Sequence, residues 1–313
     1  MLNYVIKRII SMIITLLIIV TITFILMHLV PGGPFTDSER ALSPAVEQAL
    51  MEKYKLNDPI WKQYLEYIKG IIRFDLGPSY AYTGRNVTDL IKNGFPVTAK
   101  LAVISFVLIL IIGVPLGVTS ALQHNKFMDR LIMVFSTLGV TIPKFVIATL
   151  LLFLFAYKLK WFPIFGAESL KSYILPAIAN ALASIAYITR LNRSSMLEVL
   201  EQDYIRTARA KGVKGYKIVY KHALKNATIP TVTVLGTQMV TLLSGSFIIE
   251  KIFALPGIGR YFVQSVSNRD YPTIMGVTIF FSFMLLLMTL IVDIAYGYLD
   301  PRVRIQKTSK GDK

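Results

Sequence analysis

Six long apolar stretches limit the folds open to this sequence more than any other feature. The first covers 22 residues and follows Lys7 and Arg8. A helix of about 20 apolar residues crosses the hydrocarbon core of a bilayer. The sequence therefore predicts an all-α polytopic membrane protein with six transmembrane helices, at residues 9–30, 101–121, 131–157, 173–189, 231–249 and 273–299.

Three of these stretches have internal features that predict their shape. Pro115 in the second stretch and Pro143 in the third each remove a backbone hydrogen bond, which predicts a kink or a break. The fourth stretch is rich in alanine. Because small side chains let helices approach closely, we expect this helix to lie at the centre of its bundle.

Basic residues lie mainly beside the apolar stretches. The chain of 313 residues is 54% hydrophobic and carries a net charge of +16, and residues 190–230 alone hold nine Lys/Arg against three Asp/Glu. Such segments stay on the cytoplasmic side, so the pattern places both termini in the cytosol and argues against a nucleic-acid partner. With no cysteine and three scattered histidines, we expect no metal site. We interpret the first stretch as an uncleaved anchor, with a cleaved signal peptide as the alternative.

The polar segment 198–230 separates the fourth and fifth stretches. Asp203 can cap a short helix, and Gly212 interrupts the helical pattern that follows. A second helical run is predicted over residues 216–227, and Pro230 is predicted to end it. The segment is thus predicted to form a helix-turn-helix hairpin, basic on its outside, between two membrane spans.

This hairpin contains two blocks, Tyr-Ile-Arg-Thr-Ala-Arg-Ala-Lys-Gly at 204–212 and His-Ala-Leu-Lys-Asn-Ala at 222–227. They resemble the cytosolic loop of permease subunits in ABC-type importers, and in particular the dipeptide and oligopeptide branch. Ala208, Gly212 and Leu224 match the general pattern of that loop. Four further segments resemble the same branch, at residues 31–34, 74–79, 250–259 and 268–271.

The resemblance implies the type I ABC importer permease fold in the cell membrane, and a set of partners. Such a subunit works with a second homologous permease subunit, two ATP-binding subunits and an extracytoplasmic peptide-binding protein. It forms half of the translocation path for the peptide substrate and binds no cofactor itself, since ATP and Mg²⁺ belong to the ATPase subunits. The sequence itself has no G-x-x-x-x-G-K-[ST] phosphate loop and no evident catalytic constellation, so we expect no enzyme activity.

We expect the hairpin to dock on an ATP-binding subunit and to pass that subunit's movement to the fourth and fifth spans. Basic side chains in the first helix would orient the docking, and apolar side chains such as Tyr204 and Ile205 would fill a groove of the partner. The predicted docking residues are Asp203, Tyr204, Ile205, Arg206, Thr207, Ala208, Arg209, Ala210, Lys211 and Gly212.

Polar residues within the apolar stretches are candidates for the translocation path. A charge costs at least a few kcal/mol at membrane depth, so Lys144 is expected to face a water-filled path or a carboxylate, or to snorkel from an interface. Gln238, Thr241 and Ser244 either line the path or form hydrogen bonds between helices. We interpret Asp293 as an interfacial or paired carboxylate rather than a proton carrier.

The residues before the second stretch carry eight Lys/Arg and eight Asp/Glu over 31–98, with a helix predicted over 44–67. This segment is either a surface for a substrate-delivering partner or a folded cap. Nickel or glutathione are alternative substrates for the same architecture, and a stand-alone secondary transporter or channel, or a membrane scaffold, are alternative classes. The predicted division is an anchor at 1–30, an extracytoplasmic segment at 31–98, a transmembrane domain at 99–302 that includes the hairpin 198–230, and a basic cytosolic tail at 303–313.

Overall fold

The structure, a computed structural model, describes residues 2–30, 34–35, 44–244 and 246–299. The cytosolic tail predicted at 303–313 and most of the motif at 31–34 lie outside the described residues. Within these ranges the chain contains no β-strand, and its only β-type pairing is an isolated antiparallel bridge between Pro78 and Asn86. The prediction of an all-α protein is confirmed for this part of the chain.

The helices follow one another with short connections, and three segments have π-helical geometry, at Ile109–Gly113, Leu152–Lys158 and Ile218–Ala223. The α-helices are α1 (Leu2–Leu29), α2 (Pro44–Lys53), α3 (Ile60–Ile72), α4 (Val87–Leu108), α5 (Val114–Leu122), α6 (Phe127–Thr141), α7 (Lys144–Leu151), α8 (Lys171–Leu200), α9 (Asp203–Ala210), α10 (Gly215–Lys217), α11 (Leu224–Ala227), α12 (Ile229–Ser244), α13 (Phe247–Ile252), α14 (Ile258–Ser267) and α15 (Tyr271–Leu299).

Five helical segments in the described part of the chain are long and apolar enough to cross a membrane. They become six if the bent pair Phe127–Thr141 and Lys144–Lys158 forms one span, which agrees with the six predicted spans. The two halves of that pair meet at 105°, at the break predicted for the third span. Pro143 donates no backbone hydrogen bond and holds Ile142 in an extended conformation (φ −78°, ψ 126°), so the helix cannot continue straight.

Several helix ends differ from the predicted ones. The helices that contain the first and second predicted spans begin before those spans, at Leu2 and Val87. The single helix predicted over 44–67 is wrong, because α2 and α3 are separate helices. Lys55 between them has a left-handed φ of 55°, and Pro59 (φ −54°, ψ 140°) immediately precedes α3. Both residues interrupt a helical backbone, so one continuous helix is impossible there.

The second span does not break at Pro115: the helical segment Val87–Leu122 continues through it, with a local π-helical widening just before the proline. Pro115 occupies the first turn of α5, directly after the π-helical segment Ile109–Gly113. Proline has no N–H to complete the α-helical pattern, and a π-type turn accommodates that loss. The hydroxyl of Thr189 in α8 donates to the Gly113 carbonyl oxygen at 3.3 Å, which links the two helices at this point.

The described residues up to Thr98 and from Leu255 to Leu290 form one compact unit. A fully buried carboxylate, Asp270, organises the connections in this unit. Ser79 and Thr273 donate to its Oδ2 at 2.5 and 2.7 Å, and the backbone N–H of Tyr80 donates to its Oδ1 at 3.0 Å. Because a buried charge requires such donors, Asp270 holds the loop before α4 against the start of α15.

Two other features order the same unit. Asn86 donates to the Asp75 carboxylate at 2.7 Å, and this bond, with a second from the Gly77 N–H, holds the pKa of Asp75 below its usual range. A Cβ at Gly94 would lie 2.9 Å from the Ile258 nitrogen, so only glycine permits α14 to begin this close to α4. The unit is therefore held by specific polar contacts and one close backbone approach.

The second unit comprises the residues from Ala99 to Ala254 together with those after Leu290. Helix α8 lies at its centre: sixteen of its 30 residues are buried, and α5, α6, α7 and α12 all pack against it. The prediction of a central helix from its small residues is confirmed within this unit. Asn180 in its middle lies 3.3 Å from the Leu242 carbonyl oxygen, to which its amide donates, linking α8 to α12.

A close helix approach in this unit occurs at Gly117 of α5. An added Cβ would lie 2.6 Å from the Asn192 Cβ and 2.7 Å from the Thr189 carbonyl oxygen, both in α8. We expect Gly117→Ala to separate the two helices and to destabilise the protein by about 1–3 kcal/mol, as overpacked cores do. The matched control is Gly139→Ala, whose Cβ would lie no nearer than 3.3 Å to any neighbour. Thermal unfolding of the solubilised protein tests this; equal melting temperatures for the two variants would contradict the packing argument.

Candidate functional site

The predicted hairpin is present, with a shape close to the expected one. Helix α9 ends at Ala210, and Gly212 follows with a left-handed φ of 72°. The Gly212 N–H bonds back to the Arg209 carbonyl oxygen at 3.0 Å, which closes the helix end in the way that a left-handed glycine permits. The second arm is irregular, with α10, the π-helical segment Ile218–Ala223 and α11 in succession.

The second arm ends at Ala227, as predicted, but the roles predicted for Asp203 and Pro230 are wrong. Asp203 is the first residue of α9 and not its cap; Gln202 occupies the cap position, without a side-chain hydrogen bond. The Asp203 carboxylate still lies in the first turn, where its negative charge interacts favourably with the helix dipole. Pro230 does not end the second arm, which breaks at Thr228. It lies in the first turn of α12, a position that suits a residue without an N–H donor.

The inner face of the hairpin packs into a buried cluster of this chain. Ile205 of α9 is 0% exposed and lies with Met196 of α8. The cluster consists of Ala121, Met196, Ile205, Ile218, Ala223 and Ala227, with Ala208 partly buried against it. Burying an isoleucine side chain stabilises a fold by about 1.5–3 kcal/mol. The expectation that Ile205 fills a groove of a partner is wrong, because its side chain fastens the hairpin to α8 and α5 instead.

The outer face of α9 is exposed and mostly basic or polar. Arg206 lies 3.8 Å from Asp203, and both side chains are largely exposed, so this ion pair contributes little to stability. Asn226 of the second arm donates to the Tyr204 hydroxyl oxygen at 2.8 Å and links the two arms. The exposed members of the predicted docking set are Asp203, Tyr204, Arg206, Thr207, Arg209, Ala210, Lys211 and Gly212. Their docking role stays a prediction.

An ion pair that the sequence did not suggest lies in the same unit as the hairpin. Arg193 of α8 donates to both carboxylate oxygens of Asp129 in α6, at 2.7 and 2.8 Å. Ser120 donates to the same carboxylate at 2.5 Å, and the Asn125 N–H does so at 2.9 Å. The Asp129 side chain is only 3% exposed. This cluster joins α5, α6 and α8, the helix that leads directly into the hairpin.

Lys144 is the first residue of α7, at the corner between the two halves of the third span. Its side chain is half-buried. Within the described residues, no carboxylate oxygen lies within 4.0 Å of its ammonium group. The paired-carboxylate interpretation is therefore not supported in this part of the chain, and a role in the translocation path stays a prediction.

Helix α12 presents an exposed row of hydroxyl groups, which we call the hydroxyl stripe: Thr233, Thr237, Thr241 and Ser244. Their spacing of three or four residues places them on one helix face. The hydroxyls of Thr241 and Ser244 donate to carbonyl oxygens of their own helix, each at 3.0 Å. Gln238 is half-buried beside them. The exposed stripe lies on an otherwise apolar span, and its place in a path stays a prediction.

Comparison with known proteins identifies the class to which this fold and hairpin belong. The family model of the binding-protein-dependent transport system inner membrane component matches residues 113–305, and the N-terminal model of the same family matches residues 1–102. The chain belongs to this family of membrane transport components. It is a multi-pass cell-membrane permease of the dipeptide and oligopeptide ABC importer type.

Relatives of known name match over nearly their whole length. The chain is 49% identical over 307 residues to the dipeptide transport system permease protein DppB of Bacillus subtilis, covering 98% of this chain and 99% of that protein. It is 45% identical over 306 residues to the oligopeptide transport system permease protein OppB of Salmonella typhimurium, covering 97% and 100%. These relatives are permease subunits and not catalytic subunits.

Two solved structures share the fold. One is the MetNI methionine ABC transporter in inward-facing conformations, with a TM-score of 0.56, 16% identity, and coverage of 67% of this chain and 96% of that one. The other is an amino acid ABC transporter crystallised with histidines, with a TM-score of 0.52, 19% identity, and coverage of 68% and 95%. At such identity the likeness concerns the fold alone, which is that of type I ABC importer permeases.

Proposed function

We propose that this chain is the membrane-spanning subunit of an ATP-driven peptide importer. It forms half of the translocation path for di- and oligopeptides that an extracytoplasmic binding protein delivers. The support comes from the peptide permeases that match this chain along 97–98% of its length. A second, homologous permease subunit completes the path, and the exposed hydroxyl stripe of α12 is a suitable surface for that purpose.

The observation that carries the proposal is the hairpin fastened to α8. Its inner face is buried against this helix, and its outer face is exposed and basic. A surface with these properties can receive a partner and transmit its movement as a rigid body to the spans on either side. In the proposed complex, one of two ATP-binding subunits docks on α9, and those subunits hold ATP and Mg²⁺.

The orientation follows from charge. With the hairpin in the cytosol, residues 190–230 place their nine Lys/Arg on the side that the positive-inside rule requires, and both termini lie on the same side. The neutral segment between the first and second spans then faces outward, together with the connection before α15. These two connections, and the one between the third and fourth spans on the same side, are the parts that an external binding protein can reach.

Uptake of labelled di-, tri- and pentapeptides in cells with and without this gene tests the proposal. We expect deletion to abolish uptake of at least one of these peptides and the wild-type gene to restore it. Because one permease subunit supplies half of the path, its loss should remove transport completely. Lost nickel or glutathione uptake with unchanged peptide uptake would contradict the proposed substrate but keep the architecture.

A further inference from the structure

An open pocket of ≈ 410 Å³ lies in the first unit, between the loop before α4 and the start of α14. It is distinct from the hairpin and from the candidate path residues. Its walls combine two arginines, two tyrosines and a glutamine: the lining residues are Tyr82, Thr83, Arg85, Pro256, Arg260, Tyr261 and Gln264.

The two arginines give the wall of this pocket two positive charges. Arg85 is exposed and Arg260 is half-buried. Among the described residues, neither guanidinium has a carboxylate oxygen within 4.0 Å. Burial raises the pKa of the Tyr82 phenol, as do the neighbouring Tyr261 and Asp270, and the charges of Arg260 and Arg85 oppose that rise.

The walls of the pocket are held in place by the rest of the unit. Tyr82 donates to the Gln264 side-chain oxygen at 2.6 Å, and its ring meets Tyr261 edge-on, with centroids 5.5 Å apart. The buried Asp270 fixes Ser79, three residues before Tyr82, through a 2.5 Å hydrogen bond. A site held in this way loses little conformational freedom when a partner binds.

We propose that this arginine pocket is a docking point for the extracytoplasmic binding protein, and that it receives a carboxylate side chain of that protein between Arg85 and Arg260. The inference rests on the proposed function, which places both loops outside. Arginine binds carboxylates through paired hydrogen bonds, and arginine and tyrosine are the residues enriched at the energetic centres of protein interfaces. The pocket lies between the loop before α4 and the short helix α14, outside the candidate membrane spans, which favours a protein partner over the peptide in transit.

The experiment uses the complete transporter in lipid nanodiscs: this chain, the second permease subunit and both ATP-binding subunits. ATP hydrolysis is measured as peptide-loaded binding protein is titrated in. We expect Arg85→Glu with Arg260→Glu to raise the half-maximal concentration of binding protein at least about tenfold, since like charges would then meet across the interface. Basal ATP hydrolysis should be unchanged, which shows that the complex is folded and assembled.

Two further variants separate charge from structure. Arg85→Lys with Arg260→Lys keeps the charge and should shift the half-maximal concentration much less. Lys69→Glu with Arg73→Glu makes the same change of charge at exposed positions outside the pocket, and should behave like the wild type. An unchanged half-maximal concentration in the pocket Glu variant, or an equal shift in this control, would overturn the assignment.

The alternative source of the carboxylate is the transported peptide. One contrary outcome is that the pocket Glu variant keeps normal affinity for the binding protein but loses uptake of peptides with a free C-terminal carboxylate. If the wild type also fails to take up peptides with an amidated C-terminus, the pocket binds the peptide carboxylate and our assignment is wrong. A wild-type complex that no peptide-loaded binding protein stimulates would overturn the proposed function itself, and this assignment with it.

Discussion

Gly212→Val is expected to reduce ATP-driven peptide uptake at least tenfold while leaving the chain inserted in the membrane. Gly212 has a φ of 72°, a conformation that a β-branched residue adopts only with a strain of about 1–3 kcal/mol. An added Cβ meets nothing within 4 Å, so the side chain would project from the turn into the space where we propose that the ATP-binding subunit docks. The backbone strain and the steric obstruction both affect the proposed docking surface. A loss of about 1.4 kcal/mol in the free energy of docking already corresponds to a tenfold weaker affinity.

Two control variants isolate the hairpin turn. Gly166→Val introduces the same kind of backbone strain at a φ of 96°, again with open space around it, but outside the hairpin. Gly215→Ala adds a side chain within the hairpin, where the backbone is not left-handed. Both should retain uptake, measured with labelled peptide in cells that produce equal amounts of inserted protein. If Gly212→Val transports normally, or Gly166→Val fails equally, the turn does not couple ATP hydrolysis to transport.

Arg193→Met is expected to destabilise the protein by about 3–5 kcal/mol, the cost of breaking a buried ion pair by removing one partner. The Asp129 carboxylate, 3% exposed, would lose both of its bonds to the guanidinium and keep only Ser120 and the Asn125 N–H. Since α8 continues from this point into the hairpin, the docking surface should lose order as well. Thermal unfolding of the purified protein measures the effect.

The matched control for this change is Arg190→Met, one helical turn earlier on α8. The Arg190 side chain is exposed and donates only to the Thr137 hydroxyl, at 2.8 Å, so its loss should have little effect. Arg193→Met with Asp129→Asn removes both charges and should recover much of the lost stability, since a neutral amide is easier to bury. Equal melting temperatures for the Arg193 and Arg190 variants would contradict the assigned role of the ion pair.

The spans and the hairpin could be predicted from the sequence because both depend on local properties. A spanning helix is determined by the length of its apolar stretch, and the turn by Gly212, the one residue type that readily takes its backbone conformation. The break at Pro143 was also predicted. Its size of 105° was not, because that angle depends on how both halves pack.

Features that depend on distant residues could not be predicted. Asp129 and Arg193 lie in different helices, and a sequence without an alignment gives no sign that they meet. The helical period of α9 indicates which side chains share a face, but it does not indicate which face packs against α8. Ile205 was therefore assigned to a partner's groove, whereas its side chain lies inside this chain. Glu250 shows the same limit: it directly follows the fifth predicted span, yet it is fully buried in α13 and accepts a hydrogen bond from Ser246 at 2.6 Å.

The position of α8 explains how one chain can join docking to transport. Its middle is packed by α5, α6, α7 and α12, the Arg193 ion pair secures its C-terminal half, and its last turns support the hairpin. Close-packed elements of this kind move as rigid bodies and do not deform gradually. A displacement of the hairpin should therefore be transmitted to α8, the helix at the centre of the unit, without being absorbed by flexible loops.

The most direct test of the central claim is peptide uptake into proteoliposomes that contain this chain, its partner permease and the two ATP-binding subunits. With peptide-loaded binding protein outside and ATP enclosed, we predict accumulation of labelled peptide that stops when ATP is replaced by a non-hydrolysable analogue. Imposed proton or sodium gradients should produce none without ATP. Accumulation driven by an ion gradient in liposomes that contain this chain alone would contradict the account and identify a secondary transporter.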